Sequence, residues 1–594
     1  MQESEFSLAI IDYVIIVGFI LSITLLGLYF SKRASKSTSD FFLGGRSLPW
    51  WLAGTSMVAT TFAADTPLAV TELIRQSGIA GNWMWWNMLA GGMLTTFFFA
   101  RYWRRANIIT DVELINIRYS GKEARFLRGF RAVYMGMFIN ALVISWVNLA
   151  LITLLQVFFG ISPAESLWYA LGAMLIVYLY SGFSGLLGVV YTDFVQFIVA
   201  MTGSIILAVL VVNSDQVGGI DGLKAALPKE SLSFFPTITG EDGSAGTVLA
   251  LGLGSFLAMI LLPWWNSWYP GAEPGGGGYV AQRMMSAKDE KNAVYANLYF
   301  QIAHYCIRPW PWVLVGLSAL VLYPDITEAR MGYVLAMKDF LPVGFKGLLL
   351  AAFFAAYMST TASQLNWGTS YIINDFYKPF IKPDANERQL VITSRIAVFV
   401  MILVALFVTS KVQSIAGVWN FLLQTGAGLG LVLILRWYWW RVSAWSEIAA
   451  TIAPFVGYSF TQFVLAPYVD ESWGKPIIED PSGFVFTLVF TAVVWLTVTF
   501  LTPATDKQVL KDFYQRIKPA GNWKPFVEPG EPKNGSMWQL LVCWLSAIAM
   551  AYSILFTTGS LVFKEWSDAL MYFSIFVVST LLVKYFSSRI KIFE

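Results

Sequence analysis

Two apolar segments of this chain are interrupted by residues that an unbroken membrane helix does not contain. The first interruption, at 59–67, places Asp65 and Pro67 inside a long hydrophobic run, and the second, at 263–278, holds three prolines and five glycines. Backbone groups inside a bilayer must be hydrogen-bonded within the protein, so an opened helix is tolerated only where it faces a protein cavity. Paired interruptions in two halves of a chain are typical of the midplane binding site of a secondary transporter.

Composition indicates a polytopic membrane protein. Of the 594 residues, 57% are hydrophobic and 13% are charged, whereas soluble chains carry about 25% charged residues. A membrane-spanning helix needs about 20 apolar residues, and about fifteen segments meet that requirement. They lie near 8–31, 49–76, 83–103, 130–159, 163–181, 186–213, 247–270, 296–323, 341–374, 390–410, 415–437, 443–467, 483–502, 537–558 and 567–587.

Lysine and arginine predict the orientation of the chain. They are concentrated in segments that follow odd-numbered spans, such as 101–131, whereas the loop 214–246 is acidic. Because positively charged loops stay in the cytoplasm, we expect an external N-terminus, a cytoplasmic C-terminus and a location in the cell membrane, which is the inner membrane in a Gram-negative bacterium. The first span lacks the basic start and cleavage site of a signal peptide and is expected to be retained.

The chain also lacks the features of several classes of function. A net charge of +3, without basic patches interleaved with aromatic residues, argues against nucleic acid binding. Two cysteines, Cys306 and Cys543, and one histidine, His304, provide no disulfide framework, zinc site or haem site. No P-loop or nucleophile–base pair is recognisable. We therefore expect neither ATP hydrolysis nor enzyme catalysis, and an ion gradient is the remaining source of energy.

Hydroxyl side chains cluster in the middle of the ninth span, at Ser359, Thr360, Thr361 and Ser363. One interpretation is that each hydroxyl bonds to its own helical turn or to a neighbouring helix. The other is a site for a hard cation, which prefers oxygen ligands. Carbonyl groups freed at the first interruption, near Ala59 and Phe62, would complete such an oxygen cage.

Three ionisable side chains lie within predicted spans, and each has two interpretations. Asp193 is either a functional intramembrane carboxylate or an interfacial helix cap. Asp65 either stabilises the N-terminus of the opened half-helix or contacts a cation or solute. His304 is either a hydrogen-bonded core residue or part of a proton relay.

Several motifs together resemble the solute:sodium symporter family, which includes carriers of glucose, proline, iodide and sialic acid. They are residues 40–51, 184–196, Gln282–Arg283 with Ala287–Lys288, and the helix 355–363, and the resemblance extends over about 8–470. It implies an all-α polytopic protein with a LeuT-like core of five plus five inverted-repeat helices, one extra N-terminal helix and about four C-terminal ones. It also implies sodium (Na+) as the coupling ion.

The implied organisation follows the order of the spans. It comprises an N-terminal span and loop (1–48), a first repeat (49–213), an external loop (214–246), a second repeat (247–437), two further spans (438–502), a cytoplasmic loop (503–536) and two C-terminal spans (537–594).

The resemblance also implies where sodium binds. The family's main sodium site falls on Ala59, Phe62, Ala356, Ser359 and Thr360. A second sodium, bound by some members, would use Asp193, Ser359 and Ser363. At this second site Ala362 stands where a further hydroxyl is expected, and Thr361 offers a replacement.

For the solute, the resemblance implies contacts from both interrupted helices and their neighbours. The candidates are Thr61, Asp65, Thr66, Asn87, Asn266, Trp268, Tyr269, Tyr305 with its neighbour His304, Asn420 and Gln424. The Gly-rich stretch 274–278 is not a pattern of the family's sugar carriers.

These features favour a sodium-coupled symporter that imports a small polar solute by alternating access. The aromatic and hydroxyl-rich lining favours a sugar or sugar derivative, with an amino acid, an organic acid or another small metabolite as alternatives. Proton coupling through Asp65, Asp193 or His304 is a second mechanism, and a sodium-responsive channel or sensor is a different class. The expected partners are the solute, sodium and the lipid bilayer, and the protein is expected to act as a monomer.

Overall fold

The protein is described here from a computed structural model, which is overwhelmingly helical. It describes residues 8–34, 43–62, 64–108, 110–180, 185–239, 243–245, 248–267, 269, 271–426, 428–477, 479–528 and 537–590. The α-helices in chain order are α1 (Ile10–Ala34), α2 (Trp50–Thr60), α3 (Asp65–Ser77), α4 (Trp83–Trp86), α5 (Leu89–Leu94), α6 (Ala100–Ala106), α7 (Glu113–Arg118), α8 (Gly121–Val133), α9 (Asn140–Phe159), α10 (Pro163–Tyr180), α11 (Gly185–Val212), α12 (Gly219–Ala226), α13 (Leu253–Leu261), α14 (Gly278–Ser286), α15 (Glu290–Ile302), α16 (Pro309–Leu322), α17 (Met331–Phe340), α18 (Phe345–Ser370), α19 (Glu387–Thr409), α20 (Ile415–Thr425), α21 (Leu429–Tyr438), α22 (Ala444–Phe460), α23 (Ala466–Tyr468), α24 (Ser482–Leu501), α25 (Lys507–Ile517), α26 (Met537–Val562) and α27 (Trp566–Arg589).

Ten helical segments of the described chain are long and apolar enough to cross a membrane, and the bent pair α20–α21, with an angle of 50°, makes an eleventh. The protein is therefore a multi-pass membrane protein. The other spans predicted from the sequence fall on shorter or broken helices, so the predicted total of about fifteen is not confirmed by these segments. These shorter or broken helices are the pair α2 and α3, the series α4 to α6 with the π-helical turn Thr95–Phe99, α10, and α13.

A small sheet corrects the predicted start of the seventh span. Strands β1 (Thr237–Thr239), β2 (Gly243–Ala245) and β3 (Val248–Gly252) pair in the order β1-β3-β2, with β1 parallel and β2 antiparallel to β3. The predicted helix from 247 is therefore wrong, because the backbone of β3 bonds to its two neighbouring strands. The helix begins only at Leu253.

The segment 503–536, predicted as a loop, contains the amphipathic helix α25. Its apolar face is buried, with Leu510, Phe513 and Ile517 almost fully covered. The guanidinium of Arg118 lies 5.5 Å from the Phe513 ring and 5.2 Å from the Trp523 ring, a cation–π arrangement. This segment is thus packed onto the bundle, although its lysines and prolines predicted only a connecting loop.

The first interrupted helix lies inside the bundle, beside α18. Helix α2 packs between α11 and α15, while α18 packs against α1, α9 and α11. The tryptophans Trp85, Trp86, Trp146, Trp312 and Trp419 are fully buried around them. The opened backbone therefore faces protein and not lipid, as it must.

We predict that Trp523→Ala destabilises the protein through the contact between α25 and the bundle. Trp523 is 1% exposed and its Nε1 donates to the Trp437 carbonyl at 2.8 Å. Truncating a buried tryptophan costs about 3–5 kcal/mol, so the melting temperature in detergent should fall. The neighbouring exposed Lys524→Ala should leave it unchanged, and equal melting temperatures for the two variants would contradict this packing.

Candidate functional site

The opened backbone between α2 and α3 is held by a buried arginine that the sequence analysis did not single out. Arg308, fully buried before α16, donates from Nη1 to the Val58 carbonyl at 3.0 Å and from Nη2 to the Thr61 carbonyl at 3.1 Å. The last carbonyls of a helix have no partner within it, and they carry partial negative charge. A guanidinium satisfies both needs, so Arg308 stabilises the end of α2.

The carbonyl of Ala59 is less free than predicted. It accepts a hydrogen bond from the Phe62 N–H at 2.9 Å, because the chain closes a tight turn at the end of α2. It also accepts from the Thr61 N–H. Because a carbonyl oxygen has two lone pairs, a cation bound there would share this oxygen with two backbone donors. Phe62 itself is 2% exposed, and its ring stacks on Trp312 at 5.3 Å and meets Phe353 of α18 at 6.0 Å.

The predicted sodium ligands on α18 lie next to this break and are joined to it by Asp193. The carboxylate accepts hydrogen bonds from Ser56 of α2 at 2.8 Å and from Ser359 of α18 at 3.3 Å. Ala356 and Thr360 are buried, at 5% and 4% exposed. The structure therefore brings together α2 and α18, on which the predicted main site depends, and α11, which carries Asp193 of the predicted second site.

The donor set fits a hard cation, because hydroxyl and carbonyl oxygens are the ligands that such ions prefer. On the same turn of α18, the hydroxyl of Thr361 is buried and has no hydrogen-bond partner within the described residues. For the predicted second site, no hydrogen bond joins Ser363 to Asp193 in the described chain, so of its two predicted serines Ser359 alone donates to that carboxylate. The two predicted sites thus differ in how far their members are assembled.

A polar cavity lies between the first break, the second break and α15. Its volume is about 20 Å3, room for about one water molecule, so a solute requires the surrounding elements to separate. It is lined by Thr61, Met88, Gly92, Thr95, Asn266, Ser267, Tyr269, Ala272, Tyr279, Val280, Asn297, Phe300, Gln301, His304 and Tyr305. Thr61, Asn266, Tyr269 and Tyr305 are therefore the predicted solute residues that the structure brings together.

The remaining predicted solute residues have other positions. Asp65 accepts from the Trp146 indole at 2.8 Å, and the Thr66 hydroxyl donates to the Thr61 carbonyl at 3.2 Å, so both hold the break. Asn87 donates to the Met259 carbonyl at 3.3 Å. Asn420 and Gln424, on α20, are not among the described lining residues, and Trp268 lies outside the described part of the chain.

Two amides on α15 line the cavity and were missed by sequence reasoning. Asn297 donates to the Thr96 hydroxyl at 2.8 Å and to the Gly92 carbonyl at 3.1 Å. Its Oδ1 and the Oε1 of Gln301 are buried acceptors without a partner in the described residues. Asn297, Gln301 and His304 recur at four- and three-residue spacing within an apolar span, which places them on one helical face. That periodicity is the signal that would have found them.

The cavity offers uncharged hydrogen-bonding groups and aromatic rings. Amide, hydroxyl and imidazole groups line it, with no carboxylate, lysine or arginine among its described lining residues. His304 Nδ1 lies 3.1 Å from the Thr61 hydroxyl. Such a lining can bind hydroxyl groups and an apolar ring face, and it provides no counter-charge for an ionised solute.

A second cavity, of about 40 Å3, lies on the other side of the second break and shares Asn266 and Ser267 with the first. The Gly-rich loop between α13 and α14 separates them. Arg436 donates to the Gly275 and Gly276 carbonyls at 2.7 and 2.9 Å. At Gly275, with a φ of +66°, an added Cβ would lie 2.7 Å from the Leu433 carbonyl oxygen. The glycines therefore allow a close approach between this loop and α21.

Comparison with known proteins identifies the chain. The profile described as the Sodium:solute symporter family matches residues 41–453. The chain belongs to the sodium:solute symporter family. It is a transporter, sodium is its coupling ion, and its activity is sodium-coupled solute symport.

Relatives of this symporter differ in their solutes. A sodium/glucose cotransporter of Vibrio parahaemolyticus is 26% identical over 539 residues, covering 85% of this chain and 93% of that protein. The sodium/sialic acid symporter SiaT of Proteus mirabilis is 25% identical, over 70% of this chain and 79% of its own. The high-affinity proline transporter PutP of Bacillus subtilis is 27% identical, over 71% of this chain and 86% of its own.

The fold of the symporter is that of LeuT-like transporters. A solved structure described as the substrate-bound outward-open state of a Na+-coupled sialic acid symporter superimposes with a TM-score of 0.63 at 17% identity, covering 84% of this chain and 99% of that one. At this identity the likeness establishes the fold alone.

We predict that Gly92→Ala weakens solute binding without unfolding the protein. An added Cβ would lie 1.9 Å from Gln301 Oε1, so the flexible amide must swing away from its place in the cavity. Losing one such hydrogen bond costs about 0.5–1.5 kcal/mol, so the half-saturating solute concentration for uptake should rise about two- to tenfold. Gly254→Ala, where an added Cβ meets nothing within 4 Å, is the matched control. An unchanged solute affinity in Gly92→Ala would exclude Gln301 from the solute site.

Proposed function

We propose that this symporter imports a neutral polyhydroxylated solute, a sugar or sugar derivative. The observation that carries the proposal is the lining of the polar cavity, in which the described residues are uncharged. Burying a charged solute without a counter-charge is strongly unfavourable. Sugar hydroxyls instead need amide and hydroxyl partners, which Asn266, Asn297 and Gln301 supply through acceptors with no partner in the described chain.

The relatives support this choice without deciding it. The similarity to a glucose cotransporter extends over most of both chains, yet carriers of sialic acid and proline have similar identities. Sialic acid and proline both carry a carboxylate, and the described cavity lining offers no cationic partner for one. We therefore favour the neutral sugar.

We place sodium at the oxygens of Ala59, Phe62, Ala356, Ser359 and Thr360. The coupling we propose runs through the end of α2, because Thr61 lines the solute cavity and directly follows the helix that carries Ala59. Sodium bound between α2 and α18 would order the break and thereby position the Thr61 hydroxyl. Each ligand then favours the conformation that the other binds better, which is sufficient for coupling.

The direction of transport follows from the proposed orientation, with the N-terminus outside and the C-terminus in the cytoplasm. The second cavity is lined by Asp111 and Arg131, which lie within the positively charged segment 101–131 assigned to the cytoplasm. At the other end of the bundle, Glu72 of α3 accepts from the Ser414 hydroxyl and the Ala416 N–H, both at 3.0 Å. This closed external contact supports release of solute inward past the Gly-rich loop.

Four finer assignments belong to the same proposal. The repeats lie at 49–213 and 247–437, the protein acts as a monomer in the lipid bilayer, it has no enzyme activity, and its membrane is the inner one if the source is a Gram-negative bacterium.

Uptake that follows pH and ignores sodium would overturn the sodium mechanism in favour of proton coupling.

We predict that Ser359→Ala and Thr360→Ala each weaken sodium binding. Loss of one oxygen ligand to a cation should cost about 1.5–3 kcal/mol, so the half-saturating sodium concentration for uptake should rise about ten- to a hundredfold. Solute affinity at saturating sodium should change little. Ser363→Ala, on the same helix, is the matched control and should resemble the unmodified protein. If neither Ser359→Ala nor Thr360→Ala alters the sodium dependence, the main-site assignment is wrong.

The solute class is tested by competition in proteoliposomes with an inward sodium gradient. Neutral hexoses and polyols should include the transported solute, and its uptake should stop when choline replaces sodium. Amino acids, carboxylic acids and acidic sugars should neither be transported nor compete. Sodium-driven uptake of an acidic sugar or an amino acid would contradict the neutral-solute proposal.

A further inference from the structure

Three arginines from separate segments meet around Asn107, which follows α6. Arg46, from the turn before α2, donates to Asn107 Oδ1 and, through Nη2, to the Ile108 carbonyl at 3.2 Å. Arg516 of α25 donates from Nη2 to the Asn107 carbonyl at 3.3 Å. The third, Arg104, lies on α6 one turn before Asn107. The fold therefore places three guanidinium groups at one end of the bundle, the end that we assign to the cytoplasm.

The positive charge of this arginine cluster is not balanced by ion pairs within the described residues. Each printed hydrogen bond of the three guanidiniums ends on a carbonyl or amide oxygen, which brings no negative charge. Arg105, on the same helix, differs from them because it forms an ion pair with Glu290 at 2.8 Å. An anion bound among the three arginines would therefore supply a charge that the described protein groups do not.

The electrostatics of Arg46 agree with this description. Partial burial and the neighbouring guanidinium of Arg104 lower the pKa of Arg46, Arg516 adds to the repulsion, and the Glu113 carboxylate opposes it. An arginine nevertheless stays protonated in a protein. The three like charges are thus held close together, and a bound anion would relieve their repulsion.

The cluster also retains long side chains at backbone positions that favour glycine. Arg46, Asn107 and Lys518 have φ angles of +53°, +52° and +50°, and Lys518 directly follows α25. The left-handed region is unfavourable for residues with a Cβ, although asparagine tolerates it better than most. Such residues are concentrated where a protein binds ligands. Glycine would relieve the strain at Arg46 and Lys518, but it would remove the positive charge.

The cluster lies close to the predicted surface of the membrane. Trp50 and Trp51 follow Arg46 by four and five residues, and they are 41% and 42% exposed. Tryptophan is enriched at the boundary between lipid and water. Arg46 therefore lies near the level of the lipid headgroups, where phosphate groups are abundant.

We propose that Arg46, Arg104 and Arg516 bind the phosphate group of an anionic phospholipid in the cytoplasmic leaflet. Guanidinium groups bind phosphate through paired, charge-assisted hydrogen bonds. The cytoplasmic leaflet is the negatively charged one and attracts basic segments beside the membrane. The proposal uses the proposed orientation of the chain, but it depends on neither the sodium site nor the sugar.

A phosphate bound here would connect the cytoplasmic ends of both interrupted helices. The Leu48 N–H, just before α2, donates to the carbonyl of Ser286, the last residue of α14, at 3.1 Å. Arg104 donates from Nε to the Ala287 carbonyl at 2.7 Å. The lipid would therefore contact the start of α2, the end of α14 and α25 together, and it would favour the conformation in which they are assembled.

The direct test is the thermal stability of the purified full chain in two kinds of nanodisc, one of phosphatidylcholine alone and one that also contains phosphatidylglycerol. A ligand that binds the folded state raises the melting temperature, so the anionic nanodiscs should give the higher value. High salt should reduce the difference, because it screens exposed charges. Equal melting temperatures in the two lipid mixtures at low salt would overturn the proposal.

Variants then test whether the effect comes from the arginine cluster. Arg46→Gln and Arg516→Gln should each lose most of the stabilisation by phosphatidylglycerol. Arg516 is exposed, so Arg516→Gln provides a readable variant if Arg46→Gln does not fold. Lys122→Gln removes an exposed positive charge from the same side of the bundle and should keep the full effect. Full stabilisation of folded Arg516→Gln by the anionic lipid would contradict the proposal.

Inorganic phosphate distinguishes a lipid headgroup from a soluble anion. Added to nanodiscs of phosphatidylcholine alone, it should leave the melting temperature unchanged. A stabilisation by inorganic phosphate that Arg516→Gln abolishes would show a site for soluble anions and overturn the lipid proposal. These measurements need neither solute nor sodium, and a nanodisc exposes both leaflets. Their outcome is therefore separate from that of the proposed transport function.

Discussion

A helix can remain open inside this membrane protein because a buried guanidinium replaces the hydrogen bonds of the missing turn. Arg308 donates to the carbonyls of Val58 and Thr61 at 3.0 and 3.1 Å. The Val58 carbonyl also accepts from the Thr61 hydroxyl at 2.8 Å, and the Thr61 carbonyl also accepts from the Thr66 hydroxyl at 3.2 Å. The guanidinium and two hydroxyls together therefore satisfy the opened end of α2 in a region that excludes water. The position of Ala59 and Thr61, and with it the contact between the proposed sodium and solute sites, depends on this arginine.

Several charges buried in the bundle form local pairs that join separate elements. Arg283 lies against Asp193 between α14 and α11, and Arg436 lies 3.3 Å from Glu447 between α21 and α22. Breaking a buried pair is costly because it leaves one charge uncompensated. Such pairs can therefore stabilise particular conformations of a transporter. When two helices move relative to each other, each buried charge must keep its ion-pair partner or exchange it for another.

The sequence predicted the long apolar spans and the two breaks, because those features are local, and the family resemblance implied which elements meet at the proposed sodium site. Hydrophobic length identifies a span, and Asp65 and Pro67 identify an opened helix without reference to any neighbour. Asn297, Gln301 and Arg308 escaped because their roles depend on helices distant in the sequence. Arg308, for instance, binds carbonyls nearly 250 positions earlier in the chain. Strand β3 was predicted as helix for the same reason, because its apolar residues fit either structure until its partner strands are known. The role of the Gly-rich loop also depends on a distant element, since its glycines allow the close approach of α21.

We propose that solute binding depends on sodium and that the solute is an uncharged sugar. The most direct test is a thermal-shift screen of the purified protein against neutral sugars, amino acids and carboxylic acids, in sodium and in choline. A ligand that binds the folded state raises its melting temperature. We expect a neutral sugar to stabilise the protein in sodium and to have no effect in choline. Stabilisation by a charged solute, or by a sugar equally in both salts, would contradict the account.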